Sequence, residues 1–485
     1  MARAPSRPAA APAPAVTILD AMDHPALFAR HFAGPSWNRW RVFLRALFAL
    51  PMDDANLAVF AEHTGRTTSP AVPFKEAAPI CGRRGGKSRV LALIAVFIAC
   101  FIDHTPHLAA GEVATVAVIA ADRRQARVVL RYIMGLLRAV PSLAALIDVE
   151  TAESVSLTNR VAIEVHTAGF RTSRRYTLAA VLADEIAFWR SEDDSAAPDI
   201  EILRALRPGL SSLPSSMLLL ASSPYARRGA LWDAFKRHYG RDDARVLVWR
   251  GTTEQMNPTI DPAIIAEARE ADPEAAAAEY DAQFRCDIAA FVARDVVDAA
   301  TIPGRHELQY RSGVRYAAFV DPSGGSADSM TLAIAHKEDG LVVLDVVREV
   351  RPPFGPDSVV QDFAATLRAY GLRSVTGDRY AGEWPRERFR VHGIDYKLSD
   401  KPKSDLYRDM LPLLNSGQVE LLDLSRLAAQ LIGLERRTAR SGRDSIDHAP
   451  GAHDDIANAV AGALLSVSAA EPQPTRYIRL PFMVR

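Results

Sequence analysis

Eight residues, Cys81-Gly82-Arg83-Arg84-Gly85-Gly86-Lys87-Ser88, lead through Arg89 into thirteen consecutive apolar ones, Val90–Ile102, and few folds accommodate that junction. A membrane span needs about 20 apolar residues, so the run reads as a buried helix behind a glycine-rich turn. Such a turn gathers backbone N–H groups, and the start of a helix favours anions. The template G-x-x-x-x-G-K-[ST] is met at Gly86, Lys87 and Ser88, while its first glycine falls on Cys81. In that template Lys87 reaches the β- and γ-phosphates and the Ser88 hydroxyl ligates Mg²⁺. Taken alone, a glycine-rich basic turn ahead of a core helix is nearly as good a description.

The downstream context adds weight. Leu178–Ala183 is an apolar run ending in Asp184-Glu185. The first carboxylate of such a pair suits Mg²⁺, and the second suits a general base that polarises an attacking water. Leu218–Ala221 ends in Ser222-Ser223-Pro224, two hydroxyls placed to sense a γ-phosphate. Between residue 77 and about 250, short apolar runs alternate with helical stretches. The runs at Val116–Ala121, Val161–Val165, Leu178–Ala183, Met217–Ala221 and Arg245–Trp249 predict strands of a largely parallel sheet. Residues 20–60 are helical in pattern, and Trp37 and Trp40 read as core residues.

A second pattern begins near Gly304. Tyr316–Val320, Met330–Ala335 and Leu341–Val347 are β-runs joined by turn sequences, which predicts an antiparallel meander. A helix over Asp357–Tyr370, a short strand over Arg373–Gly377 and a last helix over about 453–468 follow. Asp321 and Asp378 close strands, and His453-Asp454-Asp455 opens the last helix. Each aspartate alone has a plain explanation as a cap, a dipole complement or a turn. Together they form a set able to hold two divalent ions roughly 3.5–4 Å apart for phosphodiester cleavage. Asp454 and Asp455 point about 100° apart on a helix, so one is the principal ligand and the other assists. Lys397, Lys401 and Lys403 follow Asp378 in a chain with few lysines, and read equally as phosphate-backbone contacts or as a solvated loop.

Composition sets the outer limits. The 485 residues exceed one hydrophobic core and imply two or three domains. Lys plus Arg and Asp plus Glu both number 58, so any nucleic-acid binding is through a local groove and not bulk charge. Cys81, Cys100 and Cys286 are widely spaced, which argues against a disulfide framework and for a reducing compartment. Met1–Val16 is rich in Ala and Pro, without the apolar core of a secretory signal, and reads as a disordered arm.

In this order, GRRGGKS, a strand ending in Asp184-Glu185, Ser222-Ser223-Pro224, Asp321, Asp378 and His453-Asp454-Asp455, the chain resembles the large terminase subunit of tailed bacteriophages and prophages. The resemblance spans roughly residues 35–470. It implies an α/β protein with an N-terminal P-loop (ASCE/RecA-like) ATPase domain and a C-terminal RNase H-like nuclease domain. The expected division is an arm at 1–20, the ATPase domain at 21–255, a helical linker region at 256–303, the nuclease domain at 304–475 and a tail at 476–485.

By the same resemblance, Arg83, Arg84, Gly85, Gly86, Lys87, Ser88 and Asp184 bind ATP, with Ser88 and Asp184 at its Mg²⁺, and Glu185 is the catalytic glutamate. Ser222, Ser223 and Pro224 match the family's coupling motif, and Arg174 or Arg175 is the candidate arginine finger. Asp321, Asp378 and Asp454 or Asp455 are the expected ligands of two Mg²⁺ or Mn²⁺ in the nuclease. The family's variant P-loop carries arginines and tolerates loss of the first glycine. The implied role is a packaging motor in the cytoplasm of a host bacterium. ATP hydrolysis would drive double-stranded DNA through a portal protein into a procapsid, and the endonuclease would cut the concatemer. The implied partners are DNA, the portal, a small terminase subunit and further copies in a ring, from a chain monomeric in solution and away from membranes. Two other readings stay open: a helicase- or repair-type ATPase with an attached nuclease, and a degenerate prophage remnant that binds DNA or a portal without turnover.

Overall fold

The computed structural model describes residues 16–168, 176–189, 198–326, 328–378, 383–438, 444–449 and 452–468. The chain forms two compact units that divide after Ile288.

The first unit is built on an eight-stranded sheet. Its strands are β1 (Glu76–Cys81), β2 (Ala114–Ala120), β3 (Ile147–Glu150), β4 (Ser154–Leu157), β5 (Val161–Thr167), β6 (Thr177–Asp184), β7 (Met217–Ala221) and β8 (Val246–Gly251). Their order is β3-β4-β5-β2-β6-β7-β1-β8. The six strands from β5 to β8 run parallel, and β3 and β4 form an antiparallel edge. The parallel strands are apolar on both faces because helices cover both. The helix Lys87–Phe101 is buried from Val90 to Ala99, so nearly every face of that apolar run is spent in the core. Among the described residues no helix is long and apolar enough to cross a membrane. β7 lies between β1, which leads into the glycine-rich turn, and β6, which ends at Asp184. One inserted strand between these two is the ASCE arrangement of P-loop ATPase folds.

The second unit centres on a six-stranded sheet ordered β14-β13-β10-β11-β12-β15. A short strand β9 (Ile288–Ala290) precedes it. Strands β10 (Tyr316–Asp321), β11 (Met330–Glu338) and β12 (Leu341–Val350) form the antiparallel meander. β13 (Ser374–Gly377) lies parallel to β10, β14 (Asp395–Leu398) parallel to β13, and β15 (Val419–Glu420) parallel to β12. A hairpin of β16 (Leu434–Thr438) and β17 (Asp444–His448) follows. The helices Lys403–Asn415, Ser425–Gly433 and Asp455–Ser468 cover one face of the sheet, and Pro356–Ala369 and Trp384–Val391 cover the other. A Cβ on Gly462 would lie 2.2 Å from the Phe319 ring, so glycine there lets the last helix press against β10. A meander extended by two parallel strands, with that helix across it, is the RNase H-like fold.

Two expectations need correction. Residues 16–20 do not belong to a disordered arm: Thr17 and Asp20 form a capping box, and Ile18, Leu19, Ala21 and Met22 of the helix Ile18–Asp23 are buried. Residues 1–15 and the tail 476–485 lie outside the described residues. The segment 256–303 is not a separate linker. Helices Pro262–Ala271 and Pro273–Glu279 belong to the first unit and Arg294–Ala300 to the second. Strands β3 and β4 escape sequence reading because they are short and partly exposed.

Candidate functional site

Parallel pairing sets the first site. Asp184 at the end of β6 faces Ala221 at the end of β7, and the Ser222 carbonyl accepts from Cys81 N at 3.1 Å. The ends of β1, β6 and β7 therefore meet beneath the glycine-rich turn. Three carbonyls of that turn are held by side chains from elsewhere: Arg83 O accepts from Thr253 Oγ1 (2.7 Å), Arg84 O from Asn257 Nδ2 (3.2 Å) and Gly85 O from Trp40 Nε1 (2.7 Å). Drawing the carbonyls away leaves the N–H groups at the helix start for an anion. The close-approach glycine is Gly82, one place after the position the template assigns. A Cβ there would lie 2.2 Å from Thr253 Oγ1 and 2.7 Å from Tyr280 O. Cys81 contributes its carbonyl, which accepts from Lys87 Nζ at 3.0 Å, and burial pushes its thiol up to about 12. Gly86 has φ +91°, with Trp37 and Trp40 packed against it. Arg83 is held by Glu279 at 3.0 Å.

Lys87 is buried, and its ammonium pairs with Glu185 Oε1 at 3.3 Å. Glu185 Oε2 accepts from Ser222 Oγ (3.1 Å), Ser223 N (3.1 Å) and Ser223 Oγ (3.3 Å). These bonds hold Glu185 in a left-handed conformation, φ 51°, that costs a non-glycine residue about 1–2 kcal/mol. Asp184 Oδ2 accepts from Ser88 Oγ at 3.0 Å, while its buried Oδ1 has no hydrogen-bond partner among the described residues. Burial and then the Glu185 charge raise the Asp184 carboxyl to about 7, against the pull of Lys87. A carboxylate with a bare oxygen beside a serine hydroxyl fits a hydrated Mg²⁺. Pro224 follows the two serines at the exit of β7. Arg174 and Arg175 lie outside the described residues.

In the second unit Asp321 ends β10 and Asp378 follows β13, two adjacent parallel strands. The last helix brings Asn458 between them: Nδ2 donates to Asp321 Oδ2 at 2.9 Å and Asp378 Oδ2 at 3.3 Å. Burial raises the Asp321 carboxyl well above its ordinary value; the Asn458 bond opposes this, and the charges of Asp455, Asp378 and Asp454 add to it. Tyr396, from β14, donates to Asp378 O at 3.1 Å.

Asp454 and Asp455 have different neighbours. Asp454 Oδ2 accepts from Tyr407 (2.8 Å) and pairs with Lys403 (3.0 Å), and Lys403 also bonds Asp447 at 2.7 Å. Burial works against the Lys403 ammonium, and Asp454 and Asp447 outweigh it. Asp455 Oδ2 accepts from Ser329 N at 3.2 Å, and burial lifts its carboxyl to about 6. Ligand atoms of Asp447, His448 and Asp454 lie within 4.8 Å of one another, as do those of Asp328, His453 and Asp455. The raised carboxyls of Asp321 and Asp455 suit hard divalent cations, which displace the protons. Lys403 thus sits among the carboxylates, whereas Lys401 pairs with Asp409 and Lys397 lies on β14 at the edge of the sheet.

Sequence reading missed Trp40, Thr253 and Asn257 at the first site and Asn458, Tyr396, Tyr407, Asp447 and His448 at the second. Only Asn458 carried a signal, three residues after Asp455 and so on an adjoining face of the same helix.

These folds define a chain that joins a P-loop ATPase-type unit to an RNase H-like unit. No family model matches the chain, and no curated protein does. Among solved structures it is similar to the HK97 bacteriophage large terminase, with 16% identity over 88% of this chain and 99% of that one and a TM-score of 0.38. It is similar to the large terminase of a thermophilic bacteriophage, with 12% identity over 86% of this chain and 99% of that one and a TM-score of 0.37. The large terminase nuclease from thermophilic phage G20c covers 36% of this chain and 97% of its own, with 20% identity and a TM-score of 0.32.

Proposed function

We propose that this chain is the large subunit of a viral DNA-packaging motor, hydrolysing ATP in its first unit and cutting DNA in its second. The observation that carries the reading is the pairing, in one chain, of the Lys87–Glu185 and Ser88–Asp184 site with Asp321 and Asp378, which Asn458 joins and which lie within the influence of the Asp455 charge. Lys87 and the N–H groups at the helix start bind the phosphates. Ser88 and Asp184 hold Mg²⁺, which neutralises phosphate charge when bound. Glu185 orients and deprotonates water, and Ser222 and Ser223, bonded to its carboxylate, register its position. In the second unit Asp321, Asp378 and Asp455 would hold two Mg²⁺ or Mn²⁺, which would supply activation of water and stabilisation of the leaving oxygen. Asp454 assists by anchoring Lys403 beside a DNA phosphate. The substrate is double-stranded DNA, the partners are a portal protein, a small terminase subunit and further copies of the chain in a ring, and the place of action is the host cytoplasm.

The P-loop geometry supports turnover over a degenerate remnant, because the residue replacing the first glycine acts through its carbonyl. The test is cleavage of a supercoiled plasmid by purified protein with Mn²⁺, beside ATP hydrolysis. Cutting is expected to vanish in Asp321→Ala and hydrolysis in Lys87→Ala. Wild-type protein that neither cuts nor hydrolyses would sink the proposal.

A further inference from the structure

Asn458 is 1% exposed, lies on the helix Asp455–Ser468, and is the only one of the described residues whose side chain donates a hydrogen bond to the carboxylates of both Asp321 and Asp378. The amide must present its NH₂, since the reverse orientation would set its oxygen against two carboxylates. That orientation leaves Asn458 Oδ1 buried and without a partner among the described residues. A helix this closely packed has no need of such an amide: its neighbours Ala457, Ala459, Val460 and Ala461 are all buried and apolar. The arrangement accepts an unpartnered carbonyl in order to place two N–H donors between two acids.

We infer that Asn458 is a positioning residue of the nuclease centre: its amide ties Asp321 to Asp378 and competes with divalent cations for the two oxygens it bonds. The inference rests on the nuclease reading above. The NH₂ group does for the pair what a cation does, since it gives both carboxylates positive partial charge at one point. Asp321 and Asp378 would hold a divalent cation through the same oxygens that the amide bonds, and the cation would supply the positive charge that the amide supplies in its absence. The amide raises the cation concentration the centre needs and keeps the two acids in register until the cation arrives.

The test is calorimetric titration of the full chain with Mn²⁺, taking as the nuclease-centre signal the heat lost in Asp321→Ala. Asn458→Ala, and Asn458→Ser if the alanine variant does not fold, are expected to bind Mn²⁺ about tenfold tighter, the weight of one hydrogen bond to a charged group. Cleavage should reach half its maximum at correspondingly lower Mn²⁺. Binding unchanged within about twofold would make Asn458 a packing residue, and weaker binding would make it a ligand; either overturns the inference while the nuclease reading stands. If wild type shows no Mn²⁺ heat that depends on Asp321, the nuclease reading itself fails.

Discussion

The Tyr396 hydroxyl lies 2.1 Å from the point a Cβ on Gly377 would occupy, and it donates to the carbonyl of Asp378, the next residue. Glycine at 377 is therefore required by a tyrosine on the neighbouring strand and not by a turn. Gly377→Ala is expected to displace Tyr396, cost about 1–3 kcal/mol of stability and abolish cleavage through Asp378. Tyr396→Phe keeps the packing and loses one hydrogen bond, so it should cost about 1 kcal/mol and retain part of the cleavage. Thermal melts beside plasmid cutting check both, and a fully active Gly377→Ala would remove the link.

The P-loop makes an unusual demand on two adjacent residues. Cys81→Gly should leave ATP hydrolysis within about twofold, because Cys81 serves through its carbonyl. Gly82→Ala meets Thr253 Oγ1 and Tyr280 O and should lose hydrolysis by about a hundredfold or more. Steady-state ATPase rates decide; the opposite ranking would mean that the turn is built differently.

Stability should depend on pH in EDTA. Burial raises Asp184 to about 7 and Asp455 to about 6 from an ordinary 3.8. An acid with a raised folded value binds more protons folded than unfolded, so its contribution is complete below pH 3.8 and is lost as the pH climbs through the folded value. Melting temperatures are expected to fall from about pH 4 to about pH 7 and to level off above that, and Asp184→Asn should flatten part of that fall. A melting temperature that rises over this range would contradict the burial argument.

Lys403 and Asp454 should behave as a pair. Lys403→Met leaves Asp454, 6% exposed, with the Tyr407 hydroxyl and the more distant His448. The expected loss is about 1–3 kcal/mol, less than for a fully enclosed pair, because Lys403 is 29% exposed. Adding Asp454→Asn to the same chain should restore most of it. Urea titration of the double-mutant cycle measures the coupling, and additive losses would show that the two charges act independently.

The chain's own order of residues determined a good deal. The apolar run after Ser88, the strand ending at Asp184 and the meander from Tyr316 are legible because burial leaves a local period in the sequence. So are Lys87, Asp184, Asp321 and Asp378, since they sit where strands and turns end. Tertiary structure alone decided the rest. Trp40 reaches Gly85 across 45 residues, and Asn458 reaches Asp321 across 137. It also decided that Asp454 turns to Lys403 while Asp455 turns to Ser329, and that Gly82 and not Cys81 is the crowded position. The reason is physical: periodicity records which face a residue buries, whereas the partner it meets there depends on strand order and helix placement, which no local stretch of sequence contains.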